Sequence, residues 1–307
     1  MYKLIIFLFL NLISQYLVAQ KYILPGNYLL NGLVVNPAYT GSREVFTINA
    51  LHHQQWVGFD GAPVYQVLSV HTPLKKDNIA VGLQFTNYKQ SVFNYFSGSF
   101  NFAYRLFLSN TSKLSFGLQA KAASVGYHWD KIITEQGNDN NFNQNIATNE
   151  FSPNAAFGIY YYSKKVFAGV SIPELFNNSF EVSSIEQNKI FSIEHSIFLA
   201  NAGGIIPLTS KIKIKPSALV KYRKQAAVQI DYNTNLILNN KFWIGASYRP
   251  KEAVLALFEI QVNDQFKLGY TFEMASTAIK NYSGGSHEIM LQYEFGFKIK
   301  ASEPKFF

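Results

Sequence analysis

The chain has 307 residues, no cysteine, 16% aromatic and only 15% charged residues, with Lys+Arg 27 against Asp+Glu 19 for a formal net charge of +8. This excludes a disulfide scaffold, a cysteine-ligated zinc or iron–sulfur site, and a disordered chain, which would carry more charge and fewer aromatics. The charged fraction lies well below the roughly 25% of an average soluble domain, which sets the chain apart from most soluble enzymes.

In chain order, Lys3 precedes an apolar run from Leu4 to Val18 that is interrupted by Asn11, Ser14, Gln15 and Tyr16, and Ala19 offers a small residue for cleavage. Residues 1–19 read as a secretory signal peptide. A retained anchor is the competing reading, which the short and broken run suits less well. No later stretch holds about 18 uninterrupted apolar residues, so an exported chain of this kind is periplasmic, extracellular or an outer-membrane barrel.

Residues 20–44 carry Tyr22, Ile23, Leu24, Leu29, Leu30, Leu33, Val34 and Val35, too apolar for a solvated tail. Two placements are open: a plug that enters the lumen or packs under its periplasmic mouth, or an edge segment on the barrel base. Within it, Asn36-Pro37 and Thr40-Gly41 are turn chemistry, since Pro fixes φ, Asn bonds nearby backbone and Gly accepts φ > 0.

From residue 45 to 298 the pattern has period 2. At the C-terminal end Ile289, Leu291, Tyr293, Phe295 and Phe297 alternate with Glu288, Met290, Gln292, Glu294 and Gly296, giving one apolar and one mostly polar face. About fourteen such strands are predicted, at 45–57, 63–72, 79–88, 94–108, 113–127, 152–162, 166–173, 190–206, 212–222, 227–238, 242–248, 253–262, 266–273 and 286–298. An even number suits an antiparallel up-and-down outer-membrane β-barrel. If the first strand runs outward, the even connections are all short and the three longest, 128–151, 174–189 and 274–285, are all odd. Short periplasmic turns and longer extracellular loops are what such a barrel requires. A soluble sandwich also alternates, but has no reason to sort its loops by parity. Trp56, Trp129 and Trp243 near strand ends fit interfacial girdles. Residues 299–307 form a tail ending in Phe306-Phe307.

Phe59-Asp60-Gly61 supplies the first outer hairpin turn, with Pro63 opening the next strand. Together with Trp56 this block is either a plain turn with a girdle residue or a rim surface for a partner. Asn36, Pro37 and Tyr39 are the matching candidates in the N-terminal turn. Lumen-side Lys113, Lys121, Lys211, Lys213, Lys215, Lys221 and Arg223 share a polar face, with Glu259, Glu273, Glu288 and Glu294 on other strands, as a solvated or mutually paired wall or as the lining of a charge-selective channel. The periplasmic turns carry Lys75, Lys76, Lys164, Lys165, Lys211 and Lys241 against little beyond Asp77 and Asp264. They are ordinary polar turns or a basic ring that docks an acidic periplasmic partner.

Catalysis has little support. His52 and His53 are adjacent on a strand and point to opposite faces, and no His-Glu-x-x-His, Gly-x-Ser-x-Gly or phosphate-cradling loop occurs. No cofactor or metal is expected. The basic residues are dispersed, unlike a nucleic-acid patch, so no nucleic-acid partner is expected either.

Three blocks carry a family resemblance. Asn36-Pro37-Ala38-Tyr39-Thr40-Gly41, then Gln55-Trp56-Val57-Gly58-Phe59-Asp60-Gly61-Ala62-Pro63 with Ser69-Val70-His71-Thr72-Pro73, and finally Gly285-Ser286-His287-Glu288-Ile289-Met290-Leu291 before Tyr293-Glu294-Phe295 resemble hallmarks of the PorP/SprF family. These are outer-membrane components of the type IX secretion and gliding-motility apparatus. The resemblance implies a non-catalytic barrel that helps export or anchor a secreted adhesin or other cargo through its C-terminal signal domain, and that connects to periplasmic lipoproteins of the secretion machine. A passive or substrate-selective channel is the alternative that the residues themselves leave open.

Overall fold

The computed structural model describes residues 26, 28, 31–75, 78–128, 147–177, 190–191, 196–224 and 226–295. The expected signal peptide, the tail 299–307, Lys76 and Trp129 lie outside the described residues.

Fourteen antiparallel strands form one closed barrel: β1 Phe46–Gln54, β2 Val64–Pro73, β3 Ile79–Gln90, β4 Phe93–Ser109, β5 Ser112–His128, β6 Ala147–Ser163, β7 Val166–Ile172, β8 Ile197–Gly204, β9 Ile212–Arg223, β10 Gln229–Leu238, β11 Phe242–Arg249, β12 Ala253–Gln261, β13 Phe266–Ala275 and β14 Ser286–Phe295. Each pairs with its sequence neighbours, and β14 meets β1 from Phe46↔Phe295 to Gln54↔His287, which closes the sheet. Ile206–Pro207 carries β8 onward along β9. Closure leaves no free edge, the only way a sheet satisfies its backbone in lipid.

Two strand starts differ from expectation by five residues or more. β6 begins at Ala147 rather than 152, because its register with β5 runs on to His128↔Ala147 through a polar stretch with no alternation to mark it. β8 begins at Ile197 rather than 190, since Ile190–Phe191 pairs with Phe176–Asn177 in a small separate ribbon. The parity of the connections stands. One end has the short turns 74–78, 110–111, 164–165, 208–211, 239–241 and 262–265, and the other has 55–63, 129–146, 173–196 and 276–285.

The alternation sorts side chains as period 2 demands. Phe100, Leu118, Val170, Tyr232, Ile244, Tyr248 and Ile289 are exposed on the outer wall, where lipid replaces water. Their sequence neighbours Asn101, Gln119, Ser171, Asp231, Asn233, Ser247 and Glu288 are buried in the lumen. The two described tryptophans correct the girdle expectation. Trp243 follows outward Phe242 and precedes outward Ile244, so it must face inward, where it is 3% exposed with the Lys267 ammonium 3.7 Å from its ring centroid. Trp56 lines the lumen mouth.

Residues 31–44 pack inside this wall. Val34 meets Leu51, Tyr65, Val67 and Met290 of β1, β2 and β14; Val35 and Tyr28 meet Ile197, Leu199 and Leu219 of β8 and β9; Leu33, Ala38 and Tyr39 meet Tyr160 and Phe167 of β6 and β7. The wall gives way to them with glycines. A Cβ on Gly117 of β5 would lie 2.1 Å from the Ala38 nitrogen, and one on Gly158 of β6 would lie 2.0 Å from the Asn36 side-chain oxygen. Glycine weakens a strand interior, so its presence there marks the close approach of another backbone.

A direct expectation follows. Gly117→Val should destabilise the folded barrel by about 1–3 kcal/mol through overpacking. Gly98→Ala, whose Cβ would meet only the outward Phe85 ring at 3.4 Å, should leave stability within about 0.5 kcal/mol. Urea unfolding in micelles, followed by tryptophan fluorescence, measures both.

Candidate functional site

The N-terminal turn is built by local chemistry and then locked to the wall. Asn36 caps the short 3-10 turn Pro37–Tyr39, its side-chain oxygen accepting from the Ala38 N–H at 2.9 Å, and Pro37 begins the turn where no amide donor is needed. The same Asn36 side chain donates to the backbone carbonyls of Ile159 and Val170 at 3.0 and 3.2 Å, bridging β6 and β7. Thr40 Oγ1 donates to the Pro37 carbonyl at 2.7 Å, and Gly41 takes φ 74° with its amide donating to His71 Nδ1 at 3.2 Å. Ser171 donates to the Val35 carbonyl at 2.6 Å. Asn36, Pro37 and Tyr39 therefore meet the barrel interior, with Tyr39 3% exposed and its hydroxyl held in the neutral form by burial.

Charge fixes the lower end of the segment. The fully buried Arg105 donates from Nη1 to the Gly41 carbonyl at 2.8 Å and lies 3.2 Å from the Glu44 carboxylate. Glu44 also accepts from Lys113 at 2.6 Å and from the Tyr162 hydroxyl at 3.1 Å. Arg43 donates from Nε to Glu294 at 2.7 Å. Higher in the lumen, Gly26 donates its amide to Glu288 at 2.9 Å, and the Tyr28 hydroxyl accepts from Asn233 at 2.6 Å. Lumen charges pair elsewhere too: Arg249 Nε reaches both oxygens of Asp231 at 2.8 Å, its Nη1 reaches Glu273 at 3.0 Å, and Lys267 lies 3.7 Å from Glu259. These lumen charges are paired within the wall or with the N-terminal segment.

The Trp56–Pro63 block sits at the long-loop end. Trp56 and Gly61 take left-handed φ of 48° and 71°, the Phe59 amide donates to the Trp56 carbonyl, and Ala62 donates to Phe59. Phe59, Asp60 and Gly61 are exposed, while Pro63 is buried beneath them. Across the seam between the first and last strands, the Val57 amide donates to the Gly285 carbonyl, the Gly284 amide donates back to the Val57 carbonyl, each at 2.7 Å, and Trp56 donates to Ser286 Oγ at 3.2 Å. Two blocks about 230 residues apart in sequence are thus one piece of outer rim. Gly285 has φ 92°, and a Cβ there would strike the Phe272 ring at 2.6 Å. At the opposite end Lys75, Lys164, Lys165, Lys211 and Lys241 are all exposed on the short turns.

Sequence reasoning missed the glycine cradle (Gly117, Gly158) and the role of Arg105, and named Gly285-Ser286 only within a family block, without joining it to the Trp56 rim. A glycine inside an alternating strand was the available signal for the cradle. Among the described residues no group of three or more His, Asp or Glu is placed to hold a metal ion.

A closed antiparallel barrel with a lipid-facing apolar wall, a polar lumen and short turns at one end is an outer-membrane protein. Solved structures that resemble it include CymD, a monoaromatic hydrocarbon channel, at 9% identity and TM-score 0.51 over 90% of this chain and 94% of that one. A Pseudomonas aeruginosa FadL homologue matches at 9% identity and TM-score 0.46 over 91% and 96%, and the KdgM porin at 8% identity and TM-score 0.40 over 81% and 99%. The search of curated proteins returns no match. The chain belongs to the PorP/SprF family of type IX secretion system membrane proteins, whose model matches residues 17–293.

The Asn36 bridge makes a graded prediction. Asn36→Ala removes both bonds to the β6 and β7 carbonyls and should lower stability by about 1–3 kcal/mol. Asn36→Asp, which sets a carboxylate against those two carbonyl oxygens, should cost more. The temperature at which the folded gel band converts to the unfolded one reads this order.

Proposed function

We propose that this protein is a non-catalytic outer-membrane anchor of the type IX secretion system, closed by its own N-terminal segment. In this reading the Trp56–Pro63 rim, stapled to Gly284–Ser286, meets the C-terminal signal domain of a secreted adhesin or other cargo, helping to export it or hold it at the cell surface. Periplasmic lipoproteins of the machine meet the opposite end, where the exposed turn lysines focus a positive field toward an acidic partner. Family membership supplies the secretion context.

The observation that carries the reading is the placement of residues 31–44. They touch strands around the circumference, from β1 and β2 through β4–β9 to β14, by apolar packing, by hydrogen bonds to wall backbone and by ion pairs at Arg43 and Glu44. A segment held on so many sides suits a plug rather than an element that drifts in an open pore. Asn36, Pro37 and Tyr39 then serve the partner surface indirectly, by fixing the barrel beneath it.

Two experiments test this. Purified protein in planar bilayers should conduct weakly, and a variant lacking residues 20–42 should show a several-fold larger single-channel conductance; equal conductance would sink the plug. Affinity purification in mild detergent should recover a large secreted protein and periplasmic lipoproteins. Replacing Lys75, Lys76, Lys164, Lys165 and Lys241 with Gln should reduce recovery of the lipoproteins at low salt while sparing the cargo.

A further inference from the structure

Between the N-terminal segment and the long-loop end lies a cavity of about 830 Å³, with Leu33, Val34 and Val35 among its base residues. This volume lies within the roughly 300–1,000 Å³ typical of small-ligand sites. One wall is aromatic. Tyr65, Tyr88, Phe93 and Tyr127 stand on the successive strands β2 to β5, their ring centroids 6.5, 5.8 and 5.2 Å apart in that order, and Trp56 and Tyr95 extend the surface. Aromatic belts of such barrels face lipid, and their interiors are polar. An inward arc of rings at the outer mouth therefore does nothing for membrane seating.

The charged part of the lining is balanced: Lys121, Lys221, Arg223 and Arg249 accompany Glu174, Asp231, Glu252 and Glu273, mostly on β9 to β13, with Lys121 on β5 beside the rings. Arg249 is engaged by Asp231 and Glu273, Lys121 lies 3.6 Å from Glu174, and Glu252 accepts from Gln229 at 3.0 Å. With equal numbers of each sign, the lining favours neither an anion nor a cation. The strands that carry the rings, and β6 beside them, also present uncharged hydrogen-bonding groups, the amides of Gln84, Gln90 and Gln119 and the hydroxyls of Ser97 and Ser152.

A peptide taken by strand addition needs an unpaired edge, and every barrel strand here is already paired on both sides. Rings beside amides and hydroxyls instead match a sugar. The C–H face of a pyranose lies on the negative face of an aromatic ring, while its hydroxyls donate to and accept from amides and serines. We propose that this outer vestibule binds a neutral oligosaccharide, with Tyr88, Phe93 and Tyr127 as the stacking platform. The inference is independent of the secretion role, since a sealed anchor presents the same vestibule with or without cargo.

The test is calorimetric titration of the full-length folded protein, held in a detergent with no sugar headgroup, with maltohexaose, cellohexaose and mannohexaose, and with hexagalacturonate as the charged comparison. At least one neutral hexasaccharide should bind. Affinity should fall about tenfold or more in Phe93→Ala and in Tyr127→Ala, the loss of one stacking surface, stay near wild type in Tyr88→Phe, and be unchanged in Lys241→Gln at the other end. Folding of each variant is checked by its heat-modifiable gel mobility. Absence of binding by the wild-type protein to all three neutral sugars overturns the proposal whatever the variants do. So does tighter binding of hexagalacturonate, or affinity that ignores the loss of Phe93 and Tyr127.

Discussion

Everything in this molecule follows from one constraint: a strand in lipid must have its backbone groups bonded within the wall, since hydrocarbon offers no partner. The pairing of β14 with β1 from Phe46↔Phe295 to Gln54↔His287 meets it by removing the last free edge. Closure then divides every strand into an outward and an inward series. The outward series is apolar because lipid solvates it, and the inward series is left to be filled by water or by the chain itself.

Here the chain fills much of it. An unpaired polar group in that interior is costly, so the N-terminal segment enters with many of its polar groups bonded. Asn36 meets this twice over, capping its own turn and bridging two wall carbonyls, while Arg105 takes up the Gly41 carbonyl and part of the Glu44 charge. The wall answers with absence of side chain at Gly117 and Gly158. Cradle and segment are complementary surfaces, so changes to either are felt by both.

The two ends of the barrel then carry different chemistry. At the long-loop end, the Trp56–Pro63 loop and the Gly284–Ser286 loop are stapled across the closing seam, above a vestibule lined by inward rings. At the short-turn end, lysines on separate turns form a basic rim.

The sequence by itself determined the barrel, because period 2 along a strand is a one-dimensional signal and needs no knowledge of what the strand packs against. Ile289, Leu291 and Phe295 announce the lipid face wherever the strand sits. It also determined the sidedness, since loop length is read by counting, and the turn chemistry of Asn36-Pro37 and Asp60-Gly61. The inward face of Trp243 was already legible in the alternation with Phe242 and Ile244, although its place near a strand end had suggested a girdle. What only the tertiary structure decided depends on closure. That Asn36 reaches β6 and β7, and that Val57 bonds to Gly284 and Gly285, joins residues more than 120 positions apart. No local pattern encodes such neighbours, because they meet only when the first and last strands pair and curl the sheet around the segment that precedes them.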